Sequence, residues 1–129
     1  MWSPLYWYYE IRSDRSYSQR ILTGDVLNVL NNTGELQRID KQEFGNIERF
    51  PWISVVAVNS NNGNYATYAG YKSRWINLIA VVGSKSDPRN ETLYVSLLAR
   101  IAEKLNWELI LEEDEDGNED VVLREKLLQ

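Results

Sequence analysis

The sequence contains no cysteine and no histidine. Without cysteine there is no disulfide framework, no thiol nucleophile and no thiolate metal ligand. Without histidine the chain lacks the usual general base at neutral pH, the commonest metal ligand and the usual pH switch. Long apolar runs are also missing, and none approaches the ~20 residues that span a bilayer. Met1-Trp2-Ser3-Pro4 has no basic region followed by an apolar core, so no signal peptide is expected and a cytoplasmic location is. A chain of 129 residues fits one domain, 1–129. A domain of that size buries roughly two thirds of its unfolded surface, enough to fold without a metal or disulfide.

What is present is organised around the stretch from Trp75 to Glu112. Trp75 to Val82 is almost unbroken apolar, as in a central buried strand. Gly83-Ser84-Lys85-Ser86 then turns the chain. Asp87-Pro88 opens a helix to Leu105, with Asp capping free amides and Pro losing no hydrogen bond at the first position. Leu93, Tyr94, Leu97, Leu98, Ile101, Ala102 and Leu105 form one apolar stripe. Asn106 ends the helix and Trp107 to Leu111 returns as a strand.

Upstream, Leu5 to Ile11 reads as an aromatic strand with Leu5, Trp7, Tyr9 and Ile11 on one side and Tyr6, Tyr8 and Glu10 on the other. A helix to about Asn31 follows. It starts either at Ser16 or Ser18 or, because Gly24 weakens a longer helix by ~1 kcal/mol, near Thr23. Its inner face takes Tyr17, Ile21, Leu22, Val26, Val29 and Leu30. Asn31 to Gly34 stops it. Glu35 to Ile39 reads as an edge strand, Lys41 to Pro51 as loop and Trp52 to Val58 as a strong strand. Asn62-Gly63 marks a tight turn, and Tyr65 to Tyr71 is expected to be a strand. Val121 to Leu123 pairs back as a short strand, and Arg124 to Gln129 is helical or frayed. The order predicts an α+β fold, a mainly antiparallel sheet with two helices on one face. It resembles a ferredoxin-like (split β-α-β) arrangement with extra strands.

The net charge of −5 is unevenly spread. Glu112, Glu113, Asp114, Glu115, Asp116, Glu119 and Asp120 are seven of the 19 acidic residues; the remaining 12 face 14 basic ones. The acidity is a local patch. From Glu112 the run partly follows a calcium loop, but the closing bidentate Glu is replaced by Leu123. No stoichiometric calcium site and no cofactor are expected. Gly83-Ser84-Lys85-Ser86 lies where phosphates bind at a helix start, yet it lacks the second glycine of a P-loop and reads as a capped turn.

Fifteen aromatics, thirteen of them Trp or Tyr, are many for this chain, and most should be core, where large rings supply much of the buried area. Tyr6, Tyr8, Tyr65, Tyr68 and Tyr71 are candidates for exposure. Asn64 to Tyr71 does not match the RNA-recognition signature, and the acidic run opposes phosphate, so tight nucleic-acid binding is not expected. Tyr and Trp are enriched at protein interfaces. For catalysis, the hydroxyls lack a histidine partner; Tyr9-Glu10 and Arg12-Ser13-Asp14-Arg15 read as surface pairs.

These features predict a non-enzymatic protein-binding domain, a small inhibitor or immunity-type protein that blocks a basic partner such as a nuclease toxin. The contact residues are the seven acidic residues with Trp107, Tyr6 and Tyr8; no catalytic or metal-ligating residue is assigned. The alternatives are a nucleic-acid or nucleotide binder using sheet aromatics with Arg12, Arg15 and Lys72, and a small carboxylate-dependent enzyme.

Overall fold

In the computed structural model, which describes residues 3–127, the first aromatic run forms β1, Tyr6–Arg12. Alternation sends Trp7, Tyr9 and Ile11 into the core and Tyr6, Tyr8 and Glu10 to the other face. Leu5 precedes the strand and is 69% exposed, so it does not share the inner face. A two-residue β2, Ile21–Leu22, leads into α1, Thr23–Asn31. The helix thus takes the later of the two expected starts, and the Thr23 hydroxyl donates to the Ser73 carbonyl at 2.7 Å. Tyr17 packs against the opposite face of the sheet and not beneath α1.

β3, Leu36–Asp40, and β4, Glu43–Asn46, form a hairpin. The stretch expected to be loop therefore contains a strand; its one large apolar residue, Phe44, is too few to show a two-residue period. β5 is Ile53–Val58. Tyr65 to Tyr71 is not a strand. Tyr71 N–H donates to the Tyr68 carbonyl at 3.0 Å and Gly70 has φ +79°, which is turn geometry.

The long apolar run splits into β6, Trp75–Ile76, and β7, Leu78–Ser84. Asn77 divides them. Its buried side chain accepts from the Ser60 N–H (2.7 Å) and hydroxyl (2.9 Å) and donates to the Ser60 carbonyl (3.0 Å). β6 pairs only with β2, in a separate small sheet. β7 runs on through Gly83 and Ser84, so the turn starts at Lys85. α2, Asn90–Leu105, begins after Pro88, because the Asp87 carboxylate caps the preceding turn by accepting from the Arg89 N–H at 2.9 Å. Asn106 ends it in a left-handed conformation, φ +52°. Tyr94, Leu97, Leu98, Ile101 and Ala102 are buried, whereas Leu93 is 46% exposed and lies outside the stripe. β8, Glu108–Glu113, and β9, Glu119–Arg124, close the fold as a hairpin. Residues 125–127 have no regular structure; the readings for Met1, Trp2, Leu128 and Gln129 lie outside the described residues.

The main sheet has the order β3-β4-β5-β7-β1-β8-β9 and is antiparallel throughout. One core cluster joins both helices to a single sheet face through Trp7, Tyr9, Ile53, Val55, Val81 and Leu109 among others. Among the described residues the second face carries a smaller cluster, Val58, Leu78 and Ala80, beneath Tyr17 and Tyr71. Tyr94 ties the sheet to α2. Its ring lies on Gly83, where a Cβ would sit 2.5 Å from the ring. Its hydroxyl accepts from Ser84 N–H and donates to the Trp52 carbonyl.

Leu98→Ala should lower stability by about 2–5 kcal/mol, as for fully buried leucines. Leu93→Ala, at an exposed site, should change it by less than about 1 kcal/mol. Urea unfolding of both variants checks the assignment of the two leucines.

Candidate functional site

The site is built by strand register. On the face away from the helices, Ser54, Val82 and Tyr8 stand in one row across β5, β7 and β1. One step past the last β1–β8 pair the row continues with Glu112, and the β8–β9 register adds Asp120. Toward the strand ends, Tyr6 pairs with Ser84, and its ring lies 5.7 Å from that of Trp52 at a tilt of 48°. Loop residues cover Val58, Leu78 and Ala80 at the other end of these strands. The aromatic row and the acidic hairpin therefore meet on one uncovered part of the sheet.

The seven acidic residues are not equivalent. Asp114 holds the turn together. Its carboxylate accepts from the N–H of Asp116 (2.9 Å) and Asn118 (2.8 Å) and from the Asn118 amide (2.9 Å). The bonds from Asn118 keep its carboxyl below the usual range. It is a structural residue of the hairpin as much as a surface charge. Glu115 lies 3.8 Å from Lys85, and Asp120 lies 3.9 Å from Arg15. Glu112, Glu113, Glu119 and Asp120 line a shallow depression of about 340 Å³. Among the described residues no group of three or more His, Cys, Asp or Glu is arranged to hold a metal ion.

Glu112 differs from the others. Burial first, then the neighbouring carboxylates of Glu10 and Asp120, raise its pKa to about 7, against the opposing pull of Arg12. Glu10 and Arg12 belong to a buried network and not to the surface pairs expected. Arg12 is 5% exposed. It donates to Glu108 (2.7 Å), Glu10 (3.1 Å) and the Tyr17 hydroxyl (3.1 Å). The Tyr17 hydroxyl donates in turn to Glu10 at 2.6 Å. Tyr65, in the loop after β5, completes the surroundings; burial and then the charges of Glu112 and Glu10 push its hydroxyl up.

Of the three expected aromatic contacts, Tyr6 is exposed and Tyr8 is half-buried, its hydroxyl accepting from the Ser3 N–H at 2.8 Å. Trp107 is 1% exposed and sits in the core. It immediately precedes β8 on the helix-facing side and presents no side chain to a partner. Trp52 is a surface residue that the composition does not single out, although its place out of phase with Ile53 signals the outward face. Ile39 and Gly45 lie on the same open face and carry no such signal.

The raised pKa of Glu112 makes the stability of the fold depend on pH. A carboxyl whose pKa is higher in the folded than in the unfolded state binds more protons when folded, so stability falls as pH rises from about 4.5 to about 7. Glu112→Gln should remove that slope. The variant should be more stable than the wild type at pH 8, and the gap should close toward pH 4.5. Thermal unfolding across this range checks it; parallel curves for the two proteins would refute the burial of this carboxyl.

Comparison with protein-family models, with curated proteins and with solved structures finds no match to this chain.

Proposed function

We propose that the protein is a non-enzymatic protein-binding domain of the inhibitor or immunity type, which blocks a basic partner such as a nuclease toxin. The observation that carries this reading is the continuity of the acidic hairpin with the uncovered aromatic row of Tyr6, Tyr8 and Trp52. Carboxylates raise the encounter rate with a cationic surface, and aromatic rings supply the short-range binding energy. The mechanism is steric: the hairpin orients the partner and the sheet face covers its cleft. The nucleic-acid reading is weaker, because Arg12 is engaged in the buried network and the row ends in carboxylates. The half-buried Glu112 beside Glu10 favours a carboxylate-dependent enzyme as the second reading.

No helix among the described residues is long and apolar enough to cross a membrane, and a cytoplasmic site of action is part of the proposal. For the architecture we infer the split β-α-β, ferredoxin-like arrangement. The inner strand order β5-β7-β1-β8 supports it, with the β3–β4 hairpin and β9 as additions.

The test is to identify the partner by pull-down from the source cell and to measure association by stopped flow. Asp114 is left in place because the hairpin depends on it. The triple variant Glu115→Gln, Asp116→Asn, Glu119→Gln should associate about tenfold more slowly at low salt, with a flatter salt dependence and unchanged stability. Association at the wild-type rate at low salt would reduce the hairpin to a solvated turn.

A further inference from the structure

The uncovered part of the sheet is not flat. Gly45 lies on β4 with its bare Cα toward the open face, where a Cβ would lie 3.7 Å from the Ile39 side chain. Its cross-strand neighbour on β5, Ser54, is also small. Ile39, 58% exposed, and Trp52, 50% exposed, stand on either side. Two small residues between two large ones leave a notch of about 320 Å³. That volume is at the lower bound for small-molecule sites and has room for one large side chain.

The notch is preformed. The Trp52 carbonyl is fixed by the Tyr94 hydroxyl. Asn46, at the end of β4, donates to the carbonyls of Ile47 (3.0 Å) and Phe50 (3.2 Å) and accepts from the Ile53 N–H (3.3 Å). The segment joining β4 to β5 is thereby pinned, and little ordering remains to be done on binding.

We infer that this notch is the anchor point of the interface, taking one large apolar side chain, such as Trp, Phe or Leu, from a partner segment that also carries Lys or Arg. The inference rests on the protein-binding reading above and specifies its chemistry. Three observations point to a basic partner as occupant. Glu43 lines the notch itself. The row beside it runs into Glu112 and Asp120. Arg38 on β3 is turned back on the carbonyls of Asp40 and Lys41. A second copy of this chain would set one acidic face against another. The dimensions also agree. β4 and β8 are four ladder steps apart, about 19 Å, whereas a standard interface of ~800 Å² per partner is roughly 30 Å across. One partner can reach the notch and the hairpin together.

The test uses three synthetic amidated pentapeptides, Lys-Lys-Trp-Lys-Lys, Lys-Lys-Ser-Lys-Lys and Glu-Glu-Trp-Glu-Glu, titrated into the ¹⁵N-labelled protein and followed by amide chemical shifts. The first peptide should shift Gly45 and Ser54 together with the hairpin; the serine peptide should shift the hairpin alone; the acidic peptide should bind most weakly. Gly45→Val, which fills the notch from a position with ordinary clearance, should raise the Kd of the first peptide at least about fivefold. Trp52→Ala, at a half-exposed site, should do the same and serves as the second variant should Gly45→Val perturb the fold. Unchanged binding in both variants, or shifts confined to the hairpin, would overturn the inference. So would concentration-dependent shifts at Gly45 and Ser54 without peptide, which would make a second copy the occupant. If instead the triple hairpin variant binds the first peptide at the notch as the wild type does, the notch stands and the electrostatic steering fails.

Discussion

A seven-stranded sheet has two faces, and the helices among the described residues cover one of them. α1 and α2 both pack on the face that bears Trp7, Tyr9, Val55, Val81 and Leu109, and a single apolar core results. The opposite face is left to the loops. They shelter Val58, Leu78 and Ala80 under Tyr17 and Tyr71, and Tyr65 reaches toward Glu112 and Glu10. The remaining part exposes Trp52, Ile39 and Tyr6, the kind of apolar grouping that marks interaction sites on proteins.

Two side chains hold the unequal sheet in shape. Arg12 ties β1 to β8 and to the loop bearing Tyr17, and it neutralises Glu10 and Glu108 where water is scarce. A buried cation between two carboxylates adds little net stability but makes the loss of any one member severe. Tyr94 acts at the other end. By resting on Gly83 and bonding both the Ser84 amide and the Trp52 carbonyl, it fixes the strand ends that present Trp52 and Tyr6. A hydroxyl supplied from α2 thus sets the geometry of the surface on the far side of the sheet. That arrangement favours a rigid docking face over one that forms on contact.

The strands and helix that obey strong periodicity were legible. β1, β5, α2 and the apolar half of β8 follow from alternation or from a three-and-four spacing, and Asn106 ends α2 as its left-handed tolerance suggests. Failures came where a single side chain overrides the pattern. Asn77 divides an otherwise continuous apolar run through its bonds to Ser60, which lies 17 residues earlier. β4 has too few residues to show a period. Tyr65 to Tyr71 has strand composition, yet it packs as loop, turning at Gly70, whose N–H donates to the Asp40 carboxylate at 2.9 Å. The acidic hairpin was legible as charge. The inward role of Asp114, the half-buried Glu112 and the burial of Trp107 were not, since each depends on which strand lies alongside. The notch was invisible for the same reason: Ile39 and Gly45 come from two paired strands, one of them unrecognised, and Trp52 from the residue before β5.

The claim that the uncovered sheet face and the hairpin form one docking surface is tested most directly by amide hydrogen exchange of the free protein against its complex with the identified partner. The account predicts slowed exchange in residues 39–46, 52–54 and 112–120 and in the start of β1, with α1 and α2 unchanged. Protection confined to the exposed sides of the helices, or to the loop 59–74 with the hairpin unaffected, would contradict it.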